Sequence, residues 1–298
     1  MPAPLSPSAV REIPVGPPGG GPYGVAAGPD GAVWLTLVHA GRLARVDPDG
    51  TVAEFPLGAP DGARPCVITA GPDGHLWVTL NGADALARVG LDGTVRTVPM
   101  PEGSAPYGIA AGADGALWCT FMGTDRIGRV TTDGEVTTFA PPVAGGMPSL
   151  ITAGPDGALW FTLNQADAIG RITTGGDTSL YPLPTSGGAP VGICAAPDAI
   201  WFVEIGAGRV GRVALDGEVT EFALPDPACR PHAIAADGEG ACWFTEWGAG
   251  RIGRVTPDGD ITEVPLPSAA AEPHGIAVDA RGRVWAALEN GHAAVLTP

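Results

Sequence analysis

The stretch Ser149-Leu150-Ile151-Thr152-Ala153, Gly154-Pro155-Asp156-Gly157, Ala158-Leu159-Trp160-Phe161-Thr162 sets two short runs of β-branched, aliphatic and aromatic residues on either side of a Pro-Asp-Gly turn. Such runs are too short for helices, and the turn carries the residues a hairpin needs. Downstream come Ala168-Ile169-Gly170-Arg171-Ile172, another turn, and Thr178-Ser179-Leu180-Tyr181-Pro182. The unit is therefore four short antiparallel strands.

Working outward, the unit repeats. Trp34, Trp77, Trp118, Trp160, Trp201, Trp243 and Trp285 follow one another at spacings of 43, 41, 42, 41, 42 and 42, and only Trp247 stands outside the series. Each copy opens on a proline (Pro22, Pro65, Pro106, Pro148, Pro190, Pro231, Pro273), followed three residues later by Val25 or an isoleucine. Seven copies of about 42 residues are the signature of four-stranded propeller blades. The expected fold is all-β, a seven-bladed β-propeller, and the unbroken repeat argues for one domain over residues 1–298.

The last copy stops after its third strand, at Ala294-Val295-Leu296. Val10-Arg11-Glu12-Ile13-Pro14 matches the fourth-strand pattern of Thr220-Glu221-Phe222 and Thr262-Glu263-Val264, and Ile13 lies 42 residues before Phe55. The N-terminal segment, residues 1–20, is thus expected to supply the missing strand and close the ring, removing an open sheet edge. Arg45, Arg88, Arg129, Arg171, Arg212 and Arg254 recur eleven residues after a repeat tryptophan and are read as scaffold.

Composition narrows the function. Forty-six glycines and thirty-two prolines recur in register as turn residues, so they mark a loop-rich globule. A net charge of -16 disfavours nucleic acid and anionic membrane surfaces as partners. Nothing resembles a signal peptide or an 18-residue apolar span, and Cys66, Cys119, Cys194, Cys229 and Cys242 show no metal-ligand spacing. The expectation is a cytoplasmic monomer with free thiols.

Function is sought where equivalent positions differ between blades. The residue after the repeat proline runs Tyr23, Cys66, Tyr107, Ser149, Val191, His232, His274, a ring around one end of the channel if the first strand is innermost. The residue before it runs Gly21, Arg64, Ala105, Met147, Ala189, Arg230, Glu272. Three or four positions beyond the tryptophan come Glu204, Glu246-Trp247 and Leu288-Glu289, against Leu37, Leu80, Phe121 and Leu163 in the first four blades. Polar groups converge on blades five to seven, with Tyr23 and Tyr107 as aromatic faces, which suits a sizeable, partly apolar ligand. Glu272 and Glu289 offer oxygen donors for a candidate Mg²⁺ site, and His274 beside them is a candidate general base. His39, His75 and His292 are read as surface histidines in turns or outer loops.

Those residues carry a resemblance. Gly21-Pro22-Tyr23-Gly24, Arg230-Pro231-His232-Ala233-Ile234, Trp243-Phe244-Thr245-Glu246-Trp247-Gly248 and Ala271-Glu272-Pro273-His274-Gly275-Ile276, with Glu289 downstream, resemble the streptogramin B lyases over the full chain. The resemblance implies a seven-bladed propeller that opens a cyclic depsipeptide antibiotic at its threonine ester by elimination. It implies His274 as base, Glu272 and Glu289 as Mg²⁺ ligands, and His232 as a substrate contact; Tyr23, Tyr107, Glu246 and Trp247 complete the expected substrate-binding set. Leu80, Phe121 and Leu163 depart from the glutamates often found at that position in the family, which leaves substrate range open. Two other classes stay in view: a non-catalytic propeller binding peptide or protein at the same mouth, and a metal-dependent lactonase that would add water.

Overall fold

The computed structural model describes residues 10–268 and 270–298. Seven four-stranded antiparallel sheets follow one another around a central channel, and one short 3₁₀ turn, Asn81–Ala83, interrupts the strands. In six sheets the strands stand in chain order. The seventh takes Val10–Pro14 onto the edge of His292–Leu296, with Val10 opposite Leu296 and Pro14 opposite His292, so the ring closes as the sequence implies. No helix among the described residues is long and apolar enough to cross a membrane.

The first strand of each blade is innermost and packs against the first strand of its neighbours. In every blade the ladder between first and second strands slips just after the opening proline: Pro22 pairs with Leu37, but the next paired residue is Val25, opposite Leu35. A bulge of this kind bends the strand and re-aims a side chain. Here it turns the residue after the proline towards the channel and leaves the following backbone amide without a ladder partner.

A threonine two residues after the repeat tryptophan satisfies that amide. Thr36 Oγ1 accepts from Gly24 N at 2.7 Å and donates to Cys66 O of the next blade at 2.8 Å. Thr79, Thr120, Thr162 and Thr245 bridge in the same way, Thr245 taking Ala233 N at 3.0 Å and reaching His274 O at 2.8 Å. All five are fully buried. Blades five and seven carry Val203 and Ala287 there instead.

The repeat tryptophans are buried between blades. In the pattern blade Asp156 accepts Trp160 Nε1 at 3.1 Å and Arg171 Nε at 2.7 Å, and the guanidinium lies over the indole. The recurrent arginines are therefore scaffold, paired with turn aspartates.

The position three residues after the tryptophan faces the blade interior, because it pairs directly with the repeat proline. Leu37, Leu80, Phe121, Leu163, Glu204, Glu246 and Leu288 are all fully buried. Glu204 sits against Gly188, where a Cβ would overlap its Oε2, and neither of its oxygens has a hydrogen-bond partner. Burial, then the neighbouring Glu221 charge, pushes its carboxyl up to about 8.

Two outcomes are expected. Deleting residues 1–20 strips the closing strand from the seventh blade, so the single cooperative thermal transition should be lost in a circular-dichroism melt. Glu204 binds its proton more tightly folded than unfolded, so it adds stability that is present at low pH and lost as pH rises from about 5 to about 8. Melting temperatures across that range should fall more steeply for the native protein than for Glu204→Gln.

Candidate active site at the channel mouth

A cavity of about 660 Å³ opens at the end of the ring where the first strands begin. Its floor is Tyr23, Cys66, Tyr107 and His274, all ring residues aimed inward by the bulges. Its walls come from the residue before the repeat proline (Arg64, Ala105, Glu272) and from the position four after the tryptophan (Val38, Asn81, Met122, Trp247, Glu289). Arg64, Ala105 and Glu272 all have left-handed backbones, with φ of 52°, 43° and 43°. That conformation costs a non-glycine residue about 1–2 kcal/mol and recurs because the loop needs it to turn into the inner strand.

Aromatic rings fill the floor. Tyr23 lies 4.7 Å from His274 and 5.7 Å from His232 between centroids, and the two imidazoles meet edge to face at 5.2 Å. The Tyr23 and Tyr107 hydroxyls are 2.5 Å apart, and Tyr23 Oη is 3.3 Å from His232 Nε2. Trp247 stacks on the outer side of His274 at 6.3 Å and carries Arg230 over its own ring at 5.2 Å. His232 lines a smaller apolar space of about 140 Å³ within the channel, beneath the main cavity.

Electrostatics follow from burial. Desolvation pushes His232 down to about 4 and His274 down to about 3, the latter helped by repulsion from His232 and His39. Both imidazoles are thus neutral at pH 7. Burial also pushes the Tyr107 phenol up to about 12 and Tyr23 well above its usual value, so both hydroxyls stay protonated. His274 Nε2 lies 3.0 Å from Glu289 Oε2, and its Nδ1 is buried without a partner. Nε2 is therefore the ring nitrogen that faces a carboxylate.

Glu289 and Glu272 both reach the cavity, and the backbone amide of Glu289 donates to Glu272 O at 3.3 Å. The Glu272 side chain is exposed and makes no hydrogen bond or ion pair among the described residues. No cluster of three or more His, Cys, Asp or Glu side chains that could hold a metal occurs among those residues. Two carboxylates at a water-accessible rim nevertheless suit Mg²⁺, which keeps several waters and takes one or two protein carboxylates.

The structure brings Tyr23, Tyr107, Trp247, Glu272, His274 and Glu289 to one cavity and sets His232 just beneath it. Glu246 is a correction. It occupies the buried position three after the tryptophan, bound by Arg251 Nε at 2.9 Å, and does not line the cavity. A one-residue step along the chain reverses the side chain, so Trp247 faces the cavity and Glu246 faces the blade interior. His39 is a second correction, since it lines the cavity and contacts Glu289 Oε1 at 2.9 Å. Arg64, Asn81, Val38 and Met122 were also missed. Reading the position four after each tryptophan around the whole ring would have found the last three.

Known proteins can now be set beside this geometry. The profile of the virginiamycin B lyase family matches residues 8–296. Virginiamycin B lyase from Staphylococcus aureus superposes with a TM-score of 0.93 at 42% identity, covering 97% of this chain and 99% of that one. A catalytically inactive histidine-to-alanine variant of the S. aureus enzyme, solved with quinupristin, gives 0.93 at 41% identity over the same shares. A virginiamycin B lyase from Mycobacterium sp. (strain KMS) is 58% identical over 50 residues, 17% of this chain, and the match spans only 16% of that relative's length. With the family profile running through all seven blades and the site at their mouth, the chain belongs to the virginiamycin B lyase family.

Proposed function

We propose that this protein is a carbon-oxygen lyase that linearises streptogramin B antibiotics by elimination at the threonine ester. The observation that carries the reading is the His274–Glu289 contact at 3.0 Å, in a cavity large enough for part of a cyclic depsipeptide. A relative that superposes over nearly the whole chain is inactivated by loss of one histidine and was solved with quinupristin. Of the five histidines here, His274 alone joins the cavity floor to both a carboxylate and the aromatic cluster.

The chemistry is balanced without water. The threonine Cα–H bond breaks, a Cα=Cβ double bond forms, and the Cβ–O bond breaks as the carboxylate departs. The products are a linear peptide with a dehydrated threonine and a free C-terminal carboxylate. In its Nδ1–H tautomer His274 takes the α-proton at Nε2 once substrate displaces Glu289 Oε2 from that atom. The resulting imidazolium is opposed by burial, a cost offset by the carboxylate 3.0 Å away. Tyr23, Tyr107 and Trp247 give the macrocycle apolar faces, and His232 holds Tyr23 from below. Glu272 and Glu289 would hold Mg²⁺, which supplies Lewis-acid stabilisation of negative charge developing on a carbonyl oxygen.

Mass spectrometry of a streptogramin B incubated with the protein tests the reading, first with Mg²⁺ and then with excess EDTA. The expected product has unchanged mass and a linear fragmentation pattern. A gain of one water would instead mean hydrolysis, and no product would leave a binding propeller.

His274→Ala should lose turnover by at least about a hundredfold, the scale of a general base, while its melting temperature stays near that of the native protein. Glu289→Gln should raise the Mg²⁺ concentration needed for half-maximal rate. Because the working form of His274 is neutral and its folded pKa is depressed, activity should persist as pH falls from 8 to about 6. An acid limb of kcat/KM centred at or above the ordinary imidazole value, about 6.5, would contradict that electrostatic account.

A further inference from the structure

Glu289 is held from both sides. Its Oε2 meets His274 Nε2 at 3.0 Å, and its Oε1 meets His39 Nε2 at 2.9 Å across the seam between blades seven and one. The result is a continuous imidazole–carboxylate–imidazole chain in which His39 belongs to the loop after the second strand of blade one (Val33–Leu37).

Two features set this contact apart from an incidental surface pair. The His39 side chain is 58% exposed, and an ion pair of that exposure has little worth by itself. Its loop is already ordered, however: Val38 N donates to Gly21 O at 2.9 Å and His39 N to Gly20 O at 3.1 Å. The second feature is the space the ring occupies. A Cβ on Gly21 would stand 2.5 Å from His39 Cδ2. The six equivalent residues, Arg64, Ala105, Met147, Ala189, Arg230 and Glu272, adopt the same left-handed backbone with side chains present, φ 43° to 52° against 62° at Gly21. The backbone therefore does not require glycine there. Gly21 leaves the volume in which the imidazole sits.

We propose that His39 is a positioning residue that orients the Glu289 carboxylate towards His274, seated in a notch that Gly21 keeps open. This rests on the His274–Glu289 pair being the reacting pair. A donor on Oε1 fixes the carboxylate plane and so directs Oε2 at the base. Outer partners of this kind typically change activity by about 10–100-fold when removed.

The test uses the full-length protein with His39→Ala, His39→Gln and Gly21→Ala. Without substrate, long-range ¹H–¹⁵N spectra of the imidazoles report on His274 directly. The Nε2 signal of His274 should shift in His39→Ala and return towards its native position in His39→Gln, whose amide can donate to Oε1. With a streptogramin B and saturating Mg²⁺, kcat should fall about tenfold in His39→Ala with KM within about twofold. Gly21→Ala should reproduce both effects, because its Cβ expels the ring. Unchanged His274 signals, or a rise in KM with kcat preserved, would overturn the proposal. A wild-type protein that opens no ester would refute the proposed function, while the spectra would still decide whether His39 sets the His274–Glu289 contact.

Discussion

A buried threonine hydroxyl, shared between two adjacent bulged strands, is the interaction on which the arrangement of the ring depends. Each bulge strips a backbone amide of its ladder partner, and each neighbouring blade presents a carbonyl of its ring residue to the same spot. An unmet polar group in such a place costs about 1–3 kcal/mol. In five of the seven blades one hydroxyl meets both groups by accepting and donating at once, and so sets how closely the inner strands approach. Since the carbonyl it holds belongs to a ring residue, the same contact places three of the side chains that floor the cavity, Cys66, Tyr107 and His274. Thr245, which holds the His274 carbonyl, links scaffold and site directly.

The site uses the depth of the ring to separate two kinds of group. Tyrosines and imidazoles lie at the floor, where burial keeps them uncharged. Carboxylates stand at the rim, on the loop before the inner strand and on the loop after the second strand, where water reaches them. Charge is thus concentrated where an ion could be held and absent where an apolar macrocycle would rest. Blades five and six carry two further glutamates, Glu204 and Glu246, which burial turns towards the protonated state and which serve the blade interior.

Much of this was legible in the residues. The tryptophan and proline registers gave the blade number, the strand order within a blade and the closing role of Val10–Pro14, because identical hairpins must repeat identical turn chemistry. The inward ring of Tyr23, Tyr107, His232 and His274 followed from comparing one position across blades. Glu246 and His39 were misread for different reasons. Glu246 lies on a strand, where a step of one residue moves a side chain from cavity to core, and the period alone does not say which of two neighbours faces in. His39 lies in a loop, and its contact with Glu289 joins residues 250 positions apart that meet only when the last blade closes on the first.

The sequence by itself determined the propeller, because a 42-residue period of short β-rich runs leaves each sheet no way to bury its faces except against the next copy. It also determined that blades five to seven carry the unusual polar groups. Only the tertiary structure decided which of those groups share a cavity, how far His274 is desolvated, and that a histidine from blade one completes the Glu289 contact. Those properties depend on distances across the ring, and they exist only once closure brings the two ends of the chain into one sheet.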